Sequence, residues 1–182
     1  EIPVPCEVSG QLVRGIEQDW YAVQVRRGDV LHVEGYAQRI RSPIDLQLRI
    51  LDPTGQQVLA TYADSTSVSE GALPTSHLDP AGRWVAPADG RFLIAVQNAI
   101  GGLNADPRRI YRLSVRREEP DFQVVAVPRR NDAAPLNIRR GGREILDLLA
   151  FRQRGFQGEI RISARDLPAG VEGASPGRTA GR

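Results

Sequence analysis

Apolar and polar residues alternate with period two through most of the first 117 positions. That is the spacing of a half-buried β-strand, not of a helix. Residues 19–37 set the pattern. Tyr21, Val23 and Val25 share one face. Arg26-Arg27-Gly28-Asp29 turns the chain, with Gly28 able to take the positive φ a tight turn needs. Leu31 and Val33 then line the inward face of a returning strand. The stretch is predicted to be a β-hairpin.

The same device repeats along the chain. Residues 6–12 read as a first strand, with Gly10 as a bend or bulge. In residues 44–51, Leu46, Leu48 and Ile50 face inward. Asp52-Pro53-Thr54-Gly55 makes a β-turn to a partner strand at 57–62. Residues 63–76 are small and polar and read as a long surface loop. An edge-like segment bounded by prolines follows at 83–87, then a tight turn at Ala88-Asp89-Gly90. Phe92, Ile94 and Val96 mark the inward face of a strand at 91–97. A second loop spans 98–107, and Tyr111, Leu113 and Val115 face inward from a strand at 110–116. About eight short strands joined by turns predict an all-β antiparallel sandwich.

Beyond this the pattern weakens. The charged, proline-stopped stretch around 116–121 places a boundary, with a first domain at 1–117 and a linker at 118–121. Strands are expected at 122–127, 136–138, 144–151 and 159–163, with a turn at 131–135. Residues 144–151 could form a short helix, but Gly141-Gly142 and Gly155 bracket them and favour a strand. Four strands are too few for an independent sandwich, so 122–171 is expected to be an incomplete β domain. Residues 172–182 lack apolar content and are expected to be disordered.

Composition narrows the function. All 24 basic residues are Arg, against 22 acidic ones, for a net charge of +2. The arginines are spread over every predicted strand and turn, whereas a nucleic-acid binder gathers them on one surface. Nucleic acid is therefore not expected as a partner. No apolar run approaches the roughly 20 residues of a membrane-spanning helix. The chain has no Met, which suggests a processed product or an excised fragment; any secretion signal would lie upstream. Cys6 is alone, so it reads as a small apolar residue at a strand start.

Several motifs occur in a telling order. Gly10-Gln11-Leu12 is followed by Asp19-Trp20-Tyr21, Arg27-Gly28-Asp29 and Ser42-Pro43-Ile44-Asp45. Then come Leu51-Asp52-Pro53-Thr54-Gly55, Leu78-Asp79-Pro80, Ala88-Asp89-Gly90-Arg91-Phe92 and Tyr111-Arg112-Leu113. This order resembles the bacterial pre-peptidase C-terminal domain over residues 6–117. Residues 122–171, with Asp166-Leu167-Pro168-Ala169-Gly170-Val171, resemble the opening of an immunoglobulin-like domain. The resemblance implies a jelly-roll-like β-sandwich without catalysis of its own, secreted or at the cell surface. It would adhere to an extracellular protein or polysaccharide, or space or mature an attached domain. The alternative is the C-terminal fragment of a secreted peptidase whose catalytic domain lies upstream.

No cofactor is expected. The family includes calcium binders, and Asp19 and Asp79 stand in the shared motifs. A hard cation needs six to eight oxygens, however, and only Glu1 and Glu7 are available in the N-terminal arm. Turn formation through side-chain hydrogen bonds is the preferred role for both aspartates. Ser76, His77 and Asp79 suggest a hydrolytic triad only on paper, because sequence neighbours rarely point at one another. His32 is placed on an outward strand face beside Glu34. His32, His77 and Cys6 lack the spacing of a zinc site. Gly101-Gly102 is followed by neither Lys-Ser/Thr nor a helix, so it is no phosphate loop. No catalytic or metal residue is therefore assigned. Binding is expected at the rim loops 63–76 and 98–107 and at exposed aromatics. Trp20, on the face opposite Tyr21, and Trp84 are candidates, but ring packing over a sheet edge is the preferred role for each, and Tyr36 has the same ambiguity.

Overall fold

The computed structural model describes residues 1–14, 16–65, 76–100, 104–129 and 138–173, and the backbone of 177–179. Eight strands build a two-sheet sandwich: β1 (Cys6–Gln11), β2 (Gln18–Val25), β3 (Val30–Tyr36), β4 (Leu46–Leu51), β5 (Val58–Tyr62), β6 (Ala81–Val85), β7 (Gly90–Asn98) and β8 (Ile110–Arg117). One sheet has the order β1-β8-β3-β6 and the other β2-β7-β4-β5, with every pairing antiparallel. This interleaved order is that of an eight-stranded jelly roll.

The expected inward residues meet between the sheets. Val23, Leu31, Val33, Leu46, Leu48, Ile50, Ile94, Val96, Leu113 and Val115 are all buried. Ile2 and Val4 of the entry arm pack against this core, and the Ile2 N–H donates to the Ala22 carbonyl along the β2 edge at 2.9 Å. The β4–β5 hairpin forms as predicted, with Gly55 at φ +75° and its N–H donating to the Asp52 carbonyl.

The hairpin expected at 19–37 does not form. β2 pairs with β7, whereas β3 pairs with β6 and β8 in the opposite sheet. The Arg26–Asp29 turn exists, with Gly28 at φ +87°, but it is a corner that carries the chain across the core. Gly28 and Ala86 lock that corner to the β6–β7 crossing: the Gly28 N–H donates to the Ala86 carbonyl, and the Ala86 N–H to the Asp29 carbonyl, both at 2.9 Å. Both strands still present an apolar face to the core, which is all that their alternation specifies.

Gly10 likewise is no bulge. β1 runs in unbroken register with β8, and Gly10 lies opposite Tyr111. A Cβ at Gly10 would stand 2.3 Å from the Tyr111 ring, so glycine is there to admit that ring.

Beyond β8 the 118–121 segment is anchored. The Glu118 N–H donates to the Val30 carbonyl at 3.0 Å, and its carboxylate accepts from Arg83. β9 (Asp121–Pro128) and β10 (Leu146–Gln153) form a two-stranded antiparallel sheet, so the strand reading of 144–151 holds over a helix. β11 (Ile160–Ile162) pairs with β12 (Gly177–Thr179). Part of the tail expected to be disordered is thus paired: backbone groups can join a ladder without apolar side chains. The turn at 131–135, most of the strand at 136–138, and 66–75 of the first loop lie outside the described residues.

Candidate functional site

Trp20 sits on the outer face of the β2-β7-β4-β5 sheet and is 48% exposed. Period two puts it there, because Tyr21 and Val23 alternate with it toward the core. Across the sheet it aligns with Ala95 on β7, Arg49 on β4 and Thr61 on β5. Its ring reaches toward the β4–β5 turn: a Cβ at Gly55 would lie 4.0 Å from Trp20 Cζ3 and 3.3 Å from Leu93 Cδ1. Ala95, opposite Trp20 on β7, is buried on this face.

One row along the sheet from Trp20, on the side away from the β4–β5 turn, runs a ladder of amides. Gln18 Nε2 donates to Gln97 Oε1 at 2.7 Å, and Gln97 Nε2 donates to Gln47 Oε1 at 2.7 Å. Arg49 Nη1 also reaches Gln97 Oε1, at 3.3 Å. The registers Gln18↔Gln97 and Gln97↔Gln47 put all three glutamines in one row. A half-exposed aromatic plane beside pre-oriented amides can stack on an apolar edge of a partner and hydrogen-bond its polar rim. The sequence offered Trp20 as a candidate while favouring its packing at a sheet edge, and gave no sign of the ladder. Three outward glutamines could have pointed to it, but their common row depends on which strands pair.

The other aromatics do not join this face. Trp84 is buried, and its ring meets Phe92 edge-on with centroids 5.0 Å apart. Tyr36 is half-buried under the Arg39 guanidinium, 4.1 Å above its ring.

Asp79 is fully buried, and its carboxylate gathers four N–H donors. Oδ1 accepts from the backbone of Ala37 (2.8 Å) and Gln38 (2.7 Å). Oδ2 accepts from the Arg39 backbone (3.1 Å) and from Arg39 Nε (2.7 Å). Burial alone would raise this carboxyl's pKa, but the Arg39 guanidinium and the three backbone N–H groups outweigh it and hold it below the usual carboxylate range. Asp79 therefore uses the side-chain-to-backbone bonding expected of it, though it braces a distant turn, Gln38–Ile40, and not its own. Asp19 forms no turn. Its carboxylate accepts the Tyr111 hydroxyl at 2.5 Å, and the Tyr111 and Tyr21 hydroxyls are 2.6 Å apart.

Ser76, His77 and Asp79 do not assemble as a triad. His77 Nδ1 accepts the Asp79 N–H at 3.2 Å, while the Asp79 carboxylate faces residues 37–39. His32 lies on the outer face of β3, with Nε2 3.4 Å from the Glu118 carboxylate. His32 and His77 line one cleft on that face. Glu7 pairs with Arg116. Cys6 is half-buried, and burial followed by the charge of Glu7 raises its thiol pKa, away from a reactive thiolate. Among the described residues, no three His, Cys, Asp or Glu side chains are grouped to hold a metal ion. No described helix is long and apolar enough to cross a membrane. Gly101-Gly102 lies outside the described residues.

No family model matches the chain, and no curated protein matches it in sequence. Among solved structures the fold is similar to the pre-peptidase C-terminal domain of a collagenase from Bacillus anthracis, at 16% identity over 63% of this chain and 91% of that one, with a TM-score of 0.45. It is also similar to PliG, a periplasmic inhibitor of g-type lysozyme. The Aeromonas hydrophila protein is 14% identical over 64% of this chain and 94% of its own, with a TM-score of 0.42. The Salmonella Typhimurium protein is 16% identical over 64% and 96%, with a TM-score of 0.39. The collagenase domain is of the family that the motif order resembles.

Proposed function

We propose that the chain is a non-catalytic accessory module, secreted or at the cell surface, that adheres to a protein or polysaccharide through the outer face of its β2-β7-β4-β5 sheet. The observation that carries this reading is the half-exposed Trp20 beside the Gln18–Gln97–Gln47 ladder. A Trp on a sheet packed this tightly underneath pays little ordering entropy when a partner covers it, and such residues dominate binding energy. The extracellular setting rests on the motif order in residues 6–117.

The test is binding of the whole chain to arrays of extracellular-matrix proteins, cell-wall polymers and glycans. Trp20→Ala is expected to weaken any captured partner by about tenfold or more, the order of one lost hot-spot contact. Its stability is expected to stay within about 1 kcal/mol of the parent, since the side chain is half in water already. A partner bound equally well by Trp20→Ala would remove this face from consideration. Silence on every array would leave the spacer role.

A further inference from the structure

We infer, resting on the adhesive role proposed for the Trp20 face, that its ligand is a neutral β-1,4-linked glycan chain, one sugar stacked on the indole and the next held by the amide row.

The indole lies flat. Trp20 stands on β2, at one edge of its sheet, with β7 and then β4 beyond it. A Cβ at Gly55, in the turn that leaves β4, would lie 4.0 Å from Cζ3 of the indole and 3.3 Å from Cδ1 of Leu93 on β7. To reach past β7 the ring must lie along the sheet and not stand up from it. One of its faces rests on protein and the other meets water, which accounts for an exposure of 48%. An open aromatic face carries partial negative charge. It suits a pyranose whose substituents are all equatorial, because the axial C–H bonds of such a sugar point straight at the ring.

The amides have groups left to give. A side-chain amide offers two N–H donors and an oxygen with two lone pairs. The ladder takes one N–H of Gln18 and one of Gln97, and none of Gln47. Gln47 Nε2 makes no internal bond and touches solvent. The row lies two residues along the strands from Trp20, about 7 Å away. It crosses three strands, about 10 Å from Gln18 to Gln47. A chain laid along the strands therefore sets one sugar on the indole and the next over the amides, which meet its hydroxyl groups already oriented.

The surroundings favour a glycan over a protein. Among the described residues, Trp20 and Val58 are the large apolar side chains left exposed on the four strands of this sheet, and they stand on its opposite edges, β2 and β5. A protein anchor sits within a contiguous dry centre. A sugar needs one ring and a polar margin. The outward positions of β2, β7 and β4 hold no carboxylate, and Arg49, in the Trp20 row, gives Nη1 to Gln97. The margin is thus built mainly of amides, which match hydroxyl groups.

Isothermal titration of the whole protein with cellohexaose and with N-acetylchitohexaose tests this. Maltohexaose, an oligogalacturonate and gelatin serve as comparators. Saturable binding of at least one β-1,4 hexaose is expected, with a change in indole fluorescence that comes from Trp20, since Trp84 is buried against Phe92. Trp20→Ala should weaken that binding by about tenfold or more. Trp20→Phe should keep it within about threefold, and Gln47→Ala should weaken it by about fivefold. Val85→Ser, at an exposed apolar position on the other sheet, should leave it unchanged. Melting curves confirm that each variant is folded. Silence with both hexaoses, or equal binding of maltohexaose, would overturn the glycan class; tighter binding of the oligogalacturonate would overturn its neutrality. Gelatin bound in a Trp20-dependent way without the hexaoses would overturn the ligand and leave the face standing. Hexaose binding untouched by Trp20→Ala would overturn the face itself.

Discussion

Asp79→Ala is expected to destabilise the protein by roughly 3 kcal/mol, the loss that follows when several buried donors are left without an acceptor. The carboxylate holds the backbone N–H groups of Ala37, Gln38 and Arg39 and the Arg39 side chain. Arg39 in turn reaches Glu34 at 2.8 Å and the Gly35 carbonyl at 3.1 Å, so the connection from β3 to β4 is organised around one side chain. Asp79→Asn keeps the shape but turns an amide NH₂ toward N–H groups, and should also destabilise. The pH dependence identifies the cause. The folded-state carboxyl is depressed below its ordinary value of 3.8. Its stabilisation is therefore complete above that value and is lost as pH falls through the lower folded value. The stability difference between the parent and Asp79→Asn should be constant near neutrality and shrink on acidification below 3.8. Urea unfolding across that range reads it directly. Parallel stability curves down to the acid limit would show that the ionised carboxylate is not what holds the turn.

Tyr111→Ala is expected to cost about 3–5 kcal/mol, as for other buried aromatics truncated to alanine. The ring is fully buried, and its hydroxyl lies between Asp19 and Tyr21. Burial and the Asp19 hydrogen bond push its phenol far above the usual range, so it stays a neutral donor. Gly10→Ala should cost about 1–3 kcal/mol by overpacking, because the new Cβ would meet a ring that cannot swing away. The two changes should not add. With the ring gone, the Gly10→Ala penalty should largely vanish, and chemical denaturation of the four proteins measures that coupling. Full additivity would mean that Gly10 serves its own backbone and not the ring across from it.

These effects also mark where reading the chain in order ran out. Tyr111 was legible as an inward residue from its alternation with Leu113 and Val115. Nothing local to Gly10 announced the ring opposite, and the glycine read as a bend. Asp79 sat in a recognisable Leu-Asp-Pro turn, yet its partners lie some forty positions upstream. Trp20 was legible as an odd-face aromatic in its strand, but alternation favoured packing at a sheet edge and could not say that its face stays open. The glutamines beside it are unremarkable until β2, β7 and β4 are laid side by side.

Local alternation was enough to determine that the chain is all β, which side chains turn inward, and where glycine and proline let it reverse. Each of those properties depends only on a residue and its near neighbours. Period two says which face of a strand is dry but not which strand lies beside it. The assignment of β2 and β3 to opposite sheets, the row of amides and the buried carboxylate brace all required the packing of two sheets, because each joins residues tens of positions apart through contacts that exist only once the sandwich has closed.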